Sequence, residues 1–232
     1  MNQRFIAAAQ AAESDRADFI RLTYLHLGVA VLAFAGLTAL LINSPFAPAM
    51  MELLATSPYS WLVVLGGFMA VGWIADRWAR SSTSMGMQYA GLALYVVAEA
   101  VLFVPLLFIA ANYAGPDVIP TAGLLTAVVF TGLTGTVFIT KKDFSFLGRF
   151  LMIATFAAIG FIVAAILFDF SLGLLFSTAM VLLAAGYILF YTSNVLHHYP
   201  VGSHVAAALA LFAAVALLFW YILQLVMAFG RD

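Results

Sequence analysis

The sequence predicts an all-α integral membrane protein built as a bundle of seven transmembrane helices. Hydrophobic residues make up 66% of the 232 residues and charged residues only 8%, whereas soluble domains carry roughly 25% charged residues. The apolar residues are gathered into seven uninterrupted runs, without the alternation of polar and apolar residues typical of barrel strands. Because backbone amides in hydrocarbon must be paired within their own segment, runs of this kind are predicted to be helices.

The chain is predicted to have a short tail and one membrane domain. Residues 1–22 are rich in alanine and glutamine, carry mixed charge and lack the continuous apolar region of a signal peptide, so we expect a poorly ordered cytoplasmic tail. Residues 23–230 are predicted to form a single transmembrane domain, with no soluble domain. The predicted spans are 24–42, 61–74, 89–111, 121–140, 150–168, 172–195 and 204–229.

Each span is indicated by its own residues. The first begins within the sequence TYLHL, and the second is the shortest, with Trp61 and Trp73 near its ends as interfacial aromatic residues. The connection between them contains FAPAMMELLA, which is expected to form a short amphipathic helix at the membrane interface. The third span carries one carboxyl group, and the last four contain no aspartate, glutamate, lysine or arginine and are close to the length that crosses a bilayer.

The basic residues predict the orientation of the chain. The tail and the second and fourth connections hold all but one of the lysines and arginines, whereas the first, third and fifth connections hold none. The positive-inside rule therefore predicts a cytoplasmic N-terminus and, after seven spans, a periplasmic C-terminus in a bacterial inner membrane. The basic residues on the predicted cytoplasmic side are Arg4, Arg16, Arg21, Arg77, Arg80, Lys141, Lys142 and Arg149, and Arg231 lies on the other side.

Composition argues against several functions. A net charge of −1 with scattered basic residues forms no basic face for nucleic acid. The absence of cysteine excludes thiolate metal sites and cysteine nucleophiles. Lys141 and Lys142 are the only lysines and lie at a membrane edge, so neither can carry retinal. The spans contain no aspartate for an intramembrane protease and no serine–histidine pair with an oxyanion loop. We therefore predict no enzyme activity and no cofactor.

Glu99 is the one charged residue in the middle of a span. It lies within LALYVVAEAVLFVPLL of the third span. A carboxyl group at this depth has to be buried against protein, hydrated or protonated, and such residues usually mark an ion pathway, a proton site or a hydrogen bond between helices. Two interpretations follow: a candidate site for protons or ions, or a protonated side chain that only joins two helices.

Three histidines cluster at the sixth connection: His197, His198 and His204. No carboxylate or cysteine close to them in the sequence completes a metal-binding set. We predict no metal site, and interpret the three as ordinary interfacial histidines or as a loop that senses pH.

Two segments indicate a family. Residues 138–149, FITKKDFSFLGR, and residues 187–198, YILFYTSNVLHH, together resemble the Bax inhibitor-1 family, most closely its bacterial YccA-like branch. The resemblance covers nearly the whole chain and includes the TYLHL segment. It implies a seven-helix bundle of the Bax inhibitor-1 type that acts by interaction or by ion leakage, with lipid as its surroundings.

The resemblance implies two functions. YccA-like members are substrates and modulators of FtsH, a membrane-anchored protease that grips a cytoplasmic tail. Other members are pH-sensitive calcium leaks that an acidic pair on the last two helices holds closed. This sequence has Tyr191 where relatives place an acid, and the partner position falls near Ala214 or Val215, so the acidic latch is missing.

The resemblance also marks the residues of the two segments as candidates for function. Asp143 is expected to accept backbone amide hydrogen bonds at a helix start, and Asn194 to do similar work at the end of the sixth span. Gating and partner contact are the alternative roles for both. The marked residues are Lys141, Lys142, Asp143, Ser145, Tyr191, Thr192, Ser193 and Asn194.

Overall fold

A computed structural model describes residues 6–57, 59–81 and 84–230, and these ranges contain eight α-helices. A short 3₁₀ turn, Ala8–Gln10, precedes the first helix, and the fourth continues into a π-helical turn, Ala110–Ala114. The helices are α1 (Glu13–Ile42), α2 (Phe46–Ala55), α3 (Ser60–Ala79), α4 (Met85–Ile109), α5 (Val118–Thr140), α6 (Leu147–Phe168), α7 (Gly173–His197) and α8 (His204–Phe229).

All of these helices except α2 are long and apolar enough to cross a membrane. The prediction of an all-α bundle with seven spans is therefore confirmed for the described ranges. The second span is longer than the predicted 61–74, because α3 continues to Ala79. Asp76 forms an i,i+4 ion pair of 2.8 Å with Arg80, and such a pair stabilises the charged last turn of a helix. The FAPAMMELLA segment is α2, whose buried Ala47, Met50 and Leu54 pack in one cluster with Val104 of α4.

The helix α8 lies at the centre of the bundle. It is buried along most of its length, and α1, α3, α4, α5 and α7 all pack against it. Phe212 of α8 meets the rings of Phe34 in α1 and Tyr95 in α4, at centroid distances of 5.9 and 6.1 Å. Small residues allow membrane helices to approach closely. The buried alanines of α8 are Ala206, Ala207, Ala208, Ala210, Ala214 and Ala216.

The close approach of α3 and α4 depends on Gly91. A Cβ atom at this position would lie 2.5 Å from the carbonyl oxygen of Ala75 and 2.6 Å from the amide nitrogen of Ala79. One turn further along α4, Tyr95 contacts Phe68 of α3, with ring centroids 5.9 Å apart. The lack of a side chain at Gly91 thus allows the short distance between α3 and α4, and this distance also positions the following turns of α4.

The segment before α1 is held in place. The Ala8 amide donates a hydrogen bond of 2.9 Å to the Tyr199 carbonyl, and the Val201 amide donates one of 3.0 Å to the Ile6 carbonyl. The side chain of Ala8 is fully buried. The prediction of a poorly ordered tail is therefore wrong for residues 6–22. Residues 6–8 pair with the α7–α8 connection, and residues 13–22 are helical.

The docked segment lies at one end of the bundle, which we call the N-terminal end. It contains the start of α1 and the α3–α4, α5–α6 and α7–α8 connections. The described basic residues lie at this end, whereas the described connections at the opposite end contain the acidic Glu52, Asp117 and Asp169 and no lysine or arginine. Arg4 and Arg231 lie outside the described residues.

Candidate functional site

A cavity of about 620 Å³ lies between α3, α4, α6, α7 and α8. Most of its wall is aliphatic and aromatic. The helix α6 contacts mainly α7 and touches α3 only lightly, so the cavity has α3 and α6 as its two edges. Its size falls within the usual range for small-molecule sites, about 300–1,000 Å³.

Glu99 lies in the wall of this cavity. Its side chain is 5% exposed, and Tyr95, one turn earlier in α4, lines the same cavity. Of the described residues that line the cavity, none is a lysine, an arginine or a histidine. The Glu99 side chain is thus buried against protein, and its carboxyl group has no basic partner among the described lining residues.

The two positions that the resemblance assigns to an acidic latch fall at the same cavity. Tyr191 of α7 and Ala214 of α8 both line it, whereas Val215 faces a separate apolar groove between α1, α5 and α8. Tyr191 stacks on Tyr187 with ring centroids 5.6 Å apart and an interplanar angle of 16°. The carboxyl group in this cavity therefore comes from Glu99 of α4, and not from α7 or α8.

Four other polar groups of the cavity are neutral and form two hydrogen-bonded pairs. Ser177 donates a hydrogen bond of 2.9 Å to the side-chain oxygen of Gln224. The hydroxyls of Thr155 and Tyr187 lie 2.7 Å apart. Because these four groups satisfy one another, Glu99 remains the distinctive polar feature of the wall.

Asp143 organises a second site at the N-terminal end. Its carboxylate accepts hydrogen bonds from the Ser145 amide at 2.8 Å, the Ser193 hydroxyl at 3.2 Å and the His198 ring at 2.8 Å. Burial acts to raise the pKa of Asp143, but the bonds from Ser145 and His198 outweigh it and lower that pKa well below its usual range. The Ser193 hydroxyl also accepts a hydrogen bond of 2.8 Å from the Phe144 amide. The site fastens the α5–α6 connection to α7.

The remaining marked residues have separate surroundings. Lys141 ends α5 in the left-handed conformation with φ of 53°, and its side chain and that of Lys142 are exposed. The Thr192 hydroxyl is buried and has no hydrogen-bond partner among the described residues. For Asn194, the backbone carbonyl rather than the side chain accepts bonds, from the amides of His198 and Tyr199 at 2.8 Å each.

The three histidines of the sixth connection do not act as one group. His197 bonds to the Ser193 carbonyl of its own helix, and His198 bonds to Asp143. His204 instead lies against His26 of α1, with ring centroids 4.9 Å apart. Within the described part of the chain, no three metal-binding side chains come together. Sequence reasoning missed His26, whose only signal was its place in TYLHL.

Comparison with known proteins agrees with this architecture. The family model described as "Inhibitor of apoptosis-promoting Bax1" matches residues 16–231. An uncharacterized protein of Pseudomonas aeruginosa is 29% identical over 232 residues, which cover 97% of this chain and 96% of that protein. The "Modulator of FtsH protease YccA" of Escherichia coli is 28% identical over 216 residues, which cover 92% of this chain and 91% of that protein. An uncharacterized membrane protein of Vibrio cholerae is 33% identical over 123 residues, about half of each chain.

Proposed function

We propose, from the premise that this chain belongs to the Bax inhibitor-1 family, that it is an inner-membrane quality-control protein. In this proposal it binds and modulates an FtsH-type membrane protease, or is degraded by one. The observation that carries the proposal is the similarity along 92% of the chain to a protein named as a modulator of FtsH protease. A non-catalytic role of this kind requires a surface or a tail that the protease can reach.

The segment before α1 is the proposed handle. Such a protease has to grip backbone that is not already packed, and helix α1 begins only at Glu13. The described part of the segment is docked through Ala8 and Ile6 on the α7–α8 connection. The described part of the handle is therefore available only when this short pairing opens, and the strength of the pairing sets how often that happens.

The lifetime of the protein tests this proposal. Deleting residues 1–14 is expected to lengthen the half-life in cells that contain the protease, because the handle is gone. Ala8→Asp is expected to shorten it, because a carboxylate does not fit the fully buried position of Ala8 and the tail is released. Both effects should vanish in cells depleted of the protease.

Two results would count against the handle. An unchanged half-life after the deletion shows that the protease does not use the tail. A shortened half-life in both variants shows that the segment only stabilises the fold. Thermal unfolding of the purified variants separates a loss of stability from a change in recognition.

The proposal includes an orientation. The N-terminal end, with its basic residues, faces the cytoplasm, and the end with Glu52, Asp117 and Asp169 faces the periplasm. This orientation puts the proposed handle on the side where an FtsH-type protease acts.

A second candidate function is a pH-sensitive leak for calcium or other cations. The observation that favours it is the position of Glu99 at the cavity where Tyr191 and Ala214 replace the acidic latch. In this function the Glu99 carboxyl group is the proton site, and gain or loss of its charge controls the passage of cations.

A further inference from the structure

The cavity combines one carboxyl group with an otherwise apolar wall. Glu99 has no basic partner among the described residues that line it, and the neutral pairs Ser177–Gln224 and Thr155–Tyr187 are already hydrogen-bonded. A carboxyl group in such a place is neutralised either by a proton or, when it is ionised, by a cation beside it. In its ionised form the wall therefore offers a place for one positive charge.

Aromatic rings add to this preference. Tyr95 lies one turn from Glu99 in the cavity wall, and Phe103 and Trp220 line the same cavity with ring centroids 4.9 Å apart. The faces of aromatic rings attract ammonium groups when both are shielded from water. A fully hydrated metal ion would gain little from the rings and aliphatic side chains that form the rest of the wall.

We propose that this cavity binds a lipophilic amine, with its ammonium group on Glu99 and its apolar body among the side chains of α6, α7 and α8. The carboxylate supplies the charge, and the volume of about 620 Å³ holds a body of drug-like size. The light contact between α3 and α6 leaves a route from the bilayer, in which such amines concentrate. This binding site does not depend on the protease proposal, because it requires only the folded chain.

Fluorescence titration of the full chain in phosphatidylcholine nanodiscs tests the proposal. The probes are dansylcadaverine, whose amine is charged near neutral pH, and its N-acetyl derivative, which has the same apolar body without the charge. Empty nanodiscs supply the background of binding to lipid. The amine is expected to bind at least about tenfold more tightly than the neutral derivative.

Two variants locate the site. Glu99→Gln keeps the size of the side chain and is expected to remove the preference for the amine, since no charge remains. Ala213→Phe fills the cavity and is expected to weaken binding of both probes. Ala157→Phe, on an exposed position of α6 outside the cavity wall, is the matched control and should bind both probes as the unaltered chain does.

The outcomes decide the matter even if one variant fails to fold. Equal affinity of the unaltered chain for both probes would overturn the proposal, and would indicate a site for uncharged acyl chains. Amine binding that survives Ala213→Phe places the amine elsewhere and also overturns it. If a folded Glu99→Gln variant still prefers the amine to its N-acetyl derivative, a group other than Glu99 recognises the ammonium group. None of these results bears on whether a protease recognises the chain.

Discussion

Glu99 shows how far a single residue could be predicted. Its burial against protein was one of the expected states, because a carboxyl group among apolar residues stands out in the sequence. The cavity that it lines could not be predicted, since it depends on how α4 faces α7 and α8. Asp143 was expected to accept backbone amides, and it does so from Ser145, but the bonds from Ser193 and His198 join segments far apart in the chain.

Calcium flux through proteoliposomes tests the second candidate function at Glu99. Little flux is expected at neutral pH, and any flux that appears on acidification should lose its pH dependence in Glu99→Gln, which cannot ionise. The comparison variant replaces His197, His198 and His204 with Gln, because these histidines are the other candidates for a pH sensor in the sequence.

The two variants distinguish the two groups. A pH response that survives Glu99→Gln and disappears in the triple histidine variant would refute the assignment to Glu99. The absence of flux under every condition would remove the leak as a function and leave the protease proposal standing.

The existence of each helix was predicted with fewer errors than the residues at which it begins and ends. Apolar runs indicate where a helix crosses hydrocarbon, but charged residues can extend it beyond, as Asp76 and Arg80 do at the end of α3. The larger error concerned the tail. Low hydrophobicity and mixed charge suggested disorder, whereas residues 13–22 form the start of α1. Residues 6–8 form backbone hydrogen bonds with the α7–α8 connection. Partners so distant in sequence leave no local signal.

The α3–α4 pair offers a test at the same scale. Gly91→Ala is expected to destabilise the protein by about 1–3 kcal/mol, because the new methyl group would press on the backbone of Ala75 and Ala79 and force the helices apart. Thermal unfolding in detergent, followed by tryptophan fluorescence, measures the effect.

The matched variant is Gly36→Ala in α1, where no atom outside the local helix backbone lies within 4 Å of the added Cβ. Its melting temperature should be unchanged or higher, since alanine favours helix more than glycine does. Equal melting temperatures for the two variants would contradict the close packing at Gly91.

The orientation in the membrane is a property of the whole molecule. A reporter enzyme that is active only in the periplasm is expected to be active when fused after Gly230, and inactive when inserted after Lys142. The reason is that seven spans place these positions on opposite sides, with the basic residues facing the cytoplasm. The reverse pattern would invert the proposed orientation, and activity at both positions would contradict an odd number of spans.

The central position of α8 has a consequence for biosynthesis. It follows the other seven helices along the chain, so the ribosome delivers it after them, although α1, α3, α4, α5 and α7 all pack against it. Until it arrives, Phe103 lacks the stacked ring of Phe219 and Ser177 lacks Gln224. Until then the earlier helices have only their contacts with one another, such as that of α3 with α4. A chain whose translation stops before His204 is therefore expected to lack the centre of the bundle, however completely its first seven helices have formed.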